Sequence, residues 1–493
     1  MMIRSLAVLS LAAGTTLAHD ACTLDCPHSP DLGVGVRALP MPFEDLPQGL
    51  QDMLSRLEAQ AAAGDEIPMM CVAPGTDPKV AAAFDAYLQE IWGGGPERYV
   101  LSGRWSNTAL DGNTGPQGNP VTLTYSFLPD GAEIDTGQAS DLFAWMNGLY
   151  GSFNVWQPIF QQALDEWTAV SGITYVYEPN DDGVPMNSGG SGGVSGVRGD
   201  VRIGAAFIDG NSGVLAYNYF PDSGDMVLDS ADSFYNQLGG QSIRLRNVLS
   251  HEAGHGIGLS HVESSTDRFL MEPFIQTTFV GPQEDDQRGS GRGYGDYLEN
   301  DDSFGTAIDL GSFNSGDTST TLSRSIDDNG DLDYFEFTTS GSLDVEITLT
   351  PLGTTYNQGP QGGSQSSFNA LTVSNLSFNV YDASTSLVTS VNATGAGSAE
   401  NATVSLTGPG PHYVRIAGDA DNIQRYDLEL VFSGGAVCLA DCDGNGALNV
   451  DDVDCWVAGF LAGDLGVADC DGNGSLNVDD VDCFVAAFLA GCP

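Results

Sequence analysis

The sequence predicts a multidomain chain: an α+β unit over residues 97–298, an all-β sandwich over 299–433, and a small α-helical module over 434–493. Three observations predict it. Helical stretches and strand-like runs intermix up to Asn300; beyond Asn300 the helical spacing fades and short alternating runs take over. Near the end, the segment Ala440 to Cys455 recurs as Ala468 to Cys483 with one change, Ala447 becoming Ser475. A chain of 493 residues with 41% apolar residues can hold several cores, and its 63 glycines favour turns and short strands.

Taken in order, the first stretch decides the compartment. Arg4, the apolar run Leu6 to Ala13 and the small-residue exit at Thr16-Leu17-Ala18 read as a secretory signal over 1–18. No later segment offers about 18 uninterrupted apolar residues, so no membrane span is expected. Residues 19–96 read as a separate leading segment, a propeptide by the family resemblance given below. Phe43 to Ala63 and Pro78 to Trp92 carry helical spacing, and Gly93-Gly94-Gly95-Pro96 breaks it. In the α+β unit, Val121 to Phe127, Ile173 to Tyr177 and Val201 to Phe207 are expected strands. Phe153 to Val170 and Ser242 to Gly258 are expected helices, the second opened by Ser242 as a cap. In the sandwich, Leu343 to Leu349, Phe378 to Tyr381, Tyr413 to Ile416 and Tyr426 to Phe432 alternate as strands.

Charge excludes two classes of partner. There are 66 acidic and 16 basic residues, a formal net charge of -50, and Lys79 is the sole lysine. Nucleic acid and anionic membrane surfaces both need a basic patch. Such a surface suits salty or calcium-rich water, or serves only solubility. The nine cysteines fall in two groups: Cys22, Cys26 and Cys71 early, and six between Cys438 and Cys492. In an exported chain these imply local disulfides, with at least one thiol left over; six cysteines in the tail allow about 15 pairings.

The chemistry concentrates in His251-Glu-Ala-Gly-His255-Gly-Ile-Gly258-Leu-Ser-His261, which holds half of the six histidines in the chain. On a helix, His251 and His255 project from one face toward one ion. Gly258 can turn the chain left-handed so that His261 returns as a third ligand. Three nitrogens leave one tetrahedral position of a zinc ion open for chemistry, with Glu252 beside it as the catalytic base.

The full pattern resembles the metzincin clan of zinc peptidases, whose members also place a methionine turn under the metal. Leu270-Met271-Glu272-Pro273 fits that turn, and with no tyrosine two residues after Met271 the form looks most like matrixins. Arg104-Trp105, Leu123 to Phe127, Asp285-Asp286 and Tyr294-Gly295 extend the likeness over roughly residues 97 to 297. It implies an α+β metzincin catalytic domain and an edge strand, carrying Leu215 and Ala216, that pairs with an extended protein or peptide substrate. The second, structural zinc of animal matrixins has no histidines here. Asp200, Asp209, Asp225 and Asp229 stand as calcium candidates instead, or as plain loop aspartates. Cys71, in Pro68-Met-Met-Cys71-Val-Ala-Pro74, loosely resembles the propeptide cysteine switch that blocks the zinc; a disulfide with Cys22 or Cys26 is the other reading.

Asn300 to Phe304, Asp331 to Phe337, Tyr413 to Ile416 and Tyr426 to Leu428 resemble bacterial pre-peptidase C-terminal sandwiches, which serve either as spacers or as binding modules. The repeat places oxygen ligands as an EF-hand calcium loop does: Asp441, Asp443, Asn445, Ala447 through its carbonyl, Asn449 and Asp452, then Asp469, Asp471, Asn473, Ser475, Asn477 and Asp480. Aspartate at the twelfth position and the tandem copy resemble dockerins, which implies calcium and a cohesin-like or cell-surface partner. Val450-Asp451 and Val478-Asp479 depart from the polar pair that dockerins use for cohesins. The expected whole is a secreted zinc-dependent endopeptidase; the alternative is a calcium-dependent surface-attachment or scaffold-docking protein.

Overall fold

The computed structural model describes residues 41–92, 103–186, 192–266, 268–361, 363–434, 440–444 and 447–491. The signal segment, Cys22, Cys26, the break at 93–96, Cys438, Asn445 and Cys492 lie outside the described residues.

The amino-terminal segment forms helix α1 (Gln48–Ala63), strand β1 (Met69–Val72) and helix α2 (Pro78–Trp92). Leu50, Met53, Leu54 and Leu57 recur at three- and four-residue spacing, and all four are buried. Gly64, at a φ of 80°, closes α1 in the left-handed conformation that glycine tolerates.

The central unit runs through β2 (Asn107–Thr108), β3 (Gly112–Asn113), β4 (Val121–Phe127), α3 (Leu142–Tyr150), α4 (Phe153–Thr168), β5 (Ile173–Tyr177), β6 (Val201–Ala206), β7 (Val214–Asn218), β8 (Met226–Asp229), α5 (Gly239–Gly256), β9 (Val262–Ser264) and α6 (Glu284–Tyr294). Its main sheet has the order β1-β7-β8-β6-β4-β5. β4, β5, β6 and β8 are parallel, and β7 runs antiparallel to β8. One face packs on α4 and α5, with Trp156, Phe160, Leu164, Trp167, Val248 and Leu249 in the core. The other face is covered from the amino-terminal segment, Leu50, Leu54, Leu57, Phe84 and Leu88 packing with Tyr217 and Val227.

Two expectations fail here. Ser242 does not cap α5: Gly240, Gln241 and Ser242 turn left-handed at φ between 56° and 62°, and right-handed helix begins after them. The helix also ends at Gly256, not Gly258. The second concerns the strand of Leu215 and Ala216, which is not an edge. β1 pairs with it antiparallel, Cys71 opposite Ala216, because Met69 to Val72 is a short apolar run that fits a fully buried strand.

The sandwich stacks a five-stranded sheet on a four-stranded one. The first joins β10 (Ile308–Phe313), β12 (Leu332–Thr339), β19 (Gly410–Gly418), β16 (Leu376–Tyr381) and β17 (Leu387–Val391); the second joins β11 (Thr318–Ile326), β20 (Gln424–Gly434), β13 (Leu343–Leu352) and β18 (Glu400–Leu406). Alternation decides it: Leu343, Val345, Ile347 and Leu349 of β13 point inward against Phe378, Val414 and Ile416. A hairpin of β14 (Thr355–Pro360) and β15 (Ser366–Asn369) leaves this sandwich and adds to β9, making a third sheet, β15-β14-β9. Tyr356, Phe368 and Ala370 belong to the same core as Trp167 and Met271. The sandwich is therefore packed into the central unit through this hairpin.

The tail keeps a small core of its own, with Trp456 of α7 (Val450–Ala462) stacked on Phe484 of α9 (Val478–Ala490) at 4.6 Å and the short α8 (Leu465–Ala468) between. Each repeat carries one disulfide from its loop to its helix, Cys442–Cys455 and Cys470–Cys483. No helix among the described residues is long and apolar enough to cross a membrane.

Candidate metal centre

The last turns of α5 carry His251 and His255 four residues apart, and the chain then reverses at Gly258, where φ is +100° and an added Cβ would meet Gly103 O at 2.1 Å. That reversal returns His261 to the same point. The three Nε2 atoms stand 3.0, 3.2 and 3.2 Å apart, all on buried rings. A tetrahedral ion with zinc–nitrogen bonds of about 2.0–2.1 Å needs ligand atoms about 3.3 Å apart.

Each ring is fixed from behind through Nδ1. His251 faces Leu270 O at 2.7 Å, His255 faces Leu259 O at 2.6 Å, and His261 faces the Gln361 side-chain oxygen at 2.5 Å. An oxygen acceptor at Nδ1 puts the ring hydrogen there and leaves the lone pair on Nε2. Burial, and for His251 the neighbouring His261, pushes the rings down, His251 to about 3 and His261 to about 4, with His255 lowered well below its ordinary value. Three neutral lone pairs thus face one another with no hydrogen between them, an arrangement a divalent cation relieves. The donor set fits zinc.

Met271 supports the helix from below; its sulfur lies where a Cβ on Gly254 would come within 2.3 Å. Asp286 at the start of α6 holds that turn, accepting from the amides of Leu270 at 2.7 Å and Met271 at 3.1 Å. Glu272 then fixes β9 by accepting from the amide of Ser264 at 3.0 Å. Trp105 closes the other end, its indole N–H donating to Gly256 O at 2.7 Å.

Glu252 is fully buried beside the cluster, and burial raises its carboxyl to about 8, while the side chain and amide of Cys71 draw it back. Cys71 is a free thiol. Its sulfur, a ring nitrogen of His251 and an oxygen of Glu252 lie within 4.8 Å of one another, a group that shares His251 with the three histidines. Burial, then the Glu252 charge, pushes this thiol up from its ordinary value.

The four aspartates proposed for calcium do other work. Asp200 accepts from the amides of Ala109 and Thr124, Asp229 from those of Ile208, Asp209 and Gly210, Asp225 from Arg202, and Asp209 from Val214. They belong to no metal-sized group among the described residues. Asp200, Asp225 and Asp229 are buried loop anchors.

In the tail, Asp441, Asp443 and Asp452 gather within 4.8 Å, as do Asp469, Asp471 and Asp480. The asparagines of the pattern are engaged locally: Asn449 and Asn477 cap α7 and α9, and Asn449 also donates to Ala447 O at 3.1 Å. Asn473 donates to Asp471, and the Ser475 amide donates to Asn473.

The fold and site together bring two helical histidines, a third after a turn and a buried carboxylate to one place, a donor set suited to a single metal ion. Comparison with known proteins narrows the class. Residues 154–295 match the matrixin family model. Karilysin of Tannerella forsythia is 26% identical over 204 residues, covering 39% of this chain and 34% of that protein. Metalloendoproteinase 1-MMP of Arabidopsis thaliana is 32% identical over 190 residues, covering 37% of this chain and 46% of that protein. The chain thus spans about a third to a half of the length of the relatives it matches. A solved pre-peptidase C-terminal domain of a Bacillus anthracis collagenase aligns with 26% of this chain at 13% identity, but its TM-score of 0.16 carries no argument. The central region is matrixin-like, and a β-rich region follows it.

Proposed function

We propose that this protein is a secreted zinc-dependent endopeptidase, with His251, His255 and His261 holding the metal. The convergence of three buried Nε2 atoms next to Glu252 carries the reading. A zinc ion held there supplies Lewis acidity toward a peptide carbonyl and toward water. Glu252 takes the proton from the attacking water and delivers it to the leaving amine. β7 binds the substrate as an added antiparallel strand, in the place that β1 holds in the unprocessed chain. The Cys71–Ala216 register sets that residue beside Glu252, so the segment that carries Cys71 blocks the site until it is removed. The thiol is a suitable ligand once a cation lowers its pKa.

Processed protein lacking residues 19–96 should cleave casein, and Glu252→Gln should lose about 10²–10⁴-fold of that activity while retaining zinc. Undiminished cleavage by the variant refutes the assignment.

The tail supports a second role, calcium-dependent attachment, because each loop gathers three carboxylates ahead of a disulfide-held helix. Full-length protein should bind calcium and resist unfolding of this module; no response of the tail to calcium or chelator contradicts it.

A further inference from the structure

Two of the three histidines take their Nδ1 acceptors from nearby backbone, at Leu270 and Leu259. The third does not. His261 faces the side chain of a residue 100 positions later, Gln361, at the tip of the hairpin that leaves the sandwich. We propose that Gln361 is a positioning residue for His261, so that the sandwich completes the metal centre. The inference rests on the zinc reading above.

The hairpin is held well enough to do this. β14 pairs with β9 immediately after His261, Pro360 opposite Val262, Gly359 opposite Glu263 and Gln358 opposite Ser264. Its far end is tied to α6: Tyr356 donates to Asp285 at 2.7 Å, and the Thr354 amide donates to Glu284 at 2.6 Å. Tyr356 packs on Phe269 at 5.0 Å, and the Arg288 guanidinium, buried, lies 4.9 Å from the Phe368 ring centre. Arg288 also donates to Ile423 O at 2.8 Å in the sandwich proper. A ladder, two hydrogen bonds and an edge-to-face ring contact therefore fix the backbone that carries Gln361.

The chemistry of the amide suits the role. With Nε2 turned to the other histidines, Nδ1 of His261 must carry the hydrogen, and only an acceptor satisfies it. The amide oxygen accepts that hydrogen without adding charge, and it selects the tautomer whose Nε2 lone pair faces the ion. An apolar residue at 361 would leave a buried N–H without a partner and the ring free to turn.

The test uses the full chain and reads zinc binding, not turnover. Zinc affinity is measured by competition with a chromophoric chelator, alongside the visible spectrum of the cobalt-substituted protein. Gln361→Ala should weaken zinc by about 10–100-fold and alter the cobalt spectrum. Gln361→Glu, which keeps the acceptor, should restore affinity to within a few-fold of the parent, whereas a merely structural effect would not be rescued. Thr354→Val, which removes the hydroxyl hydrogen bond to Glu284 and so loosens the hairpin elsewhere, should bind zinc as the parent does. Equal affinity in parent and Gln361→Ala overturns the proposal, as does equal weakening by Thr354→Val. His261→Ala separates the two readings: if it leaves zinc binding unchanged, the metal assignment fails; if it abolishes binding while Gln361→Ala has no effect, only this inference fails.

Discussion

Two regions outside the central unit reach the histidine cluster, and they do so in the same way with opposite consequences. The amino-terminal segment adds β1 to β7 and delivers Cys71 to Glu252. The sandwich adds β14 to β9 and delivers Gln361 to His261. Both use strand addition, which positions a side chain through backbone pairing and asks little of the sequence elsewhere. The difference is which side of the imidazoles is approached. Cys71 comes to the Glu252 side of the cluster, which the proposed reaction uses; Gln361 comes from behind, at Nδ1 of His261. A peptide ladder can serve as a cover or as a brace, depending on the face it meets.

The largest expected effect breaks the cover. Removing residues up to 96 should raise peptide cleavage by about 10²–10⁴-fold, since a tethered strand competes at high effective concentration; a fluorogenic peptide assay before and after processing measures it. The next breaks the brace. Arg324 is fully buried in the sandwich between Asp296, with which it pairs closely, and Asp301 at 2.7 Å, where the two modules meet. Arg324→Met leaves those carboxylates unpaired and should cost about 3 kcal/mol or more in denaturant unfolding. A smaller effect separates thiol from strand. Cys71→Ser in the unprocessed chain should raise cleavage by about tenfold, well short of full processing, because β1 remains on β7.

The smallest concerns the main sheet, which β1 joins. Asp225 is fully buried, and burial raises its carboxyl to about 8 despite Arg202 nearby. A carboxyl raised in the fold stabilises it below the ordinary value near 4 and loses that contribution as pH climbs toward 8. The thermal midpoint should fall across that window, and Asp225→Asn should flatten the fall, exceeding the parent at pH 8 and not at pH 4.

How much of this could be read from the chain follows from distance along it. The three histidines, Glu252 and the turn at Gly258 fit in eleven residues, so local spacing specifies them. The sandwich strands were legible because one face of each is buried and alternation shows it. The strand at Cys71 was not, since Met69 to Val72 is apolar throughout and has no period to read. Asp200, Asp225 and Asp229 carry the composition of cation ligands and are instead anchors for loop amides, a use that composition cannot reveal. Gln361 sits in a polar Gly-, Ser- and Gln-containing turn, and nothing local marks it; only the pairing of β14 with β9 brings it to His261.

Crystals of the unprocessed full chain grown with zinc would show directly whether cover and brace meet at one ion. Diffraction at the zinc absorption edge should give a single strong anomalous peak about 2.0–2.1 Å from Nε2 of His251, His255 and His261, with the Gln361 amide on the far side of His261. A peak that omits His261, or none at the cluster, contradicts the account.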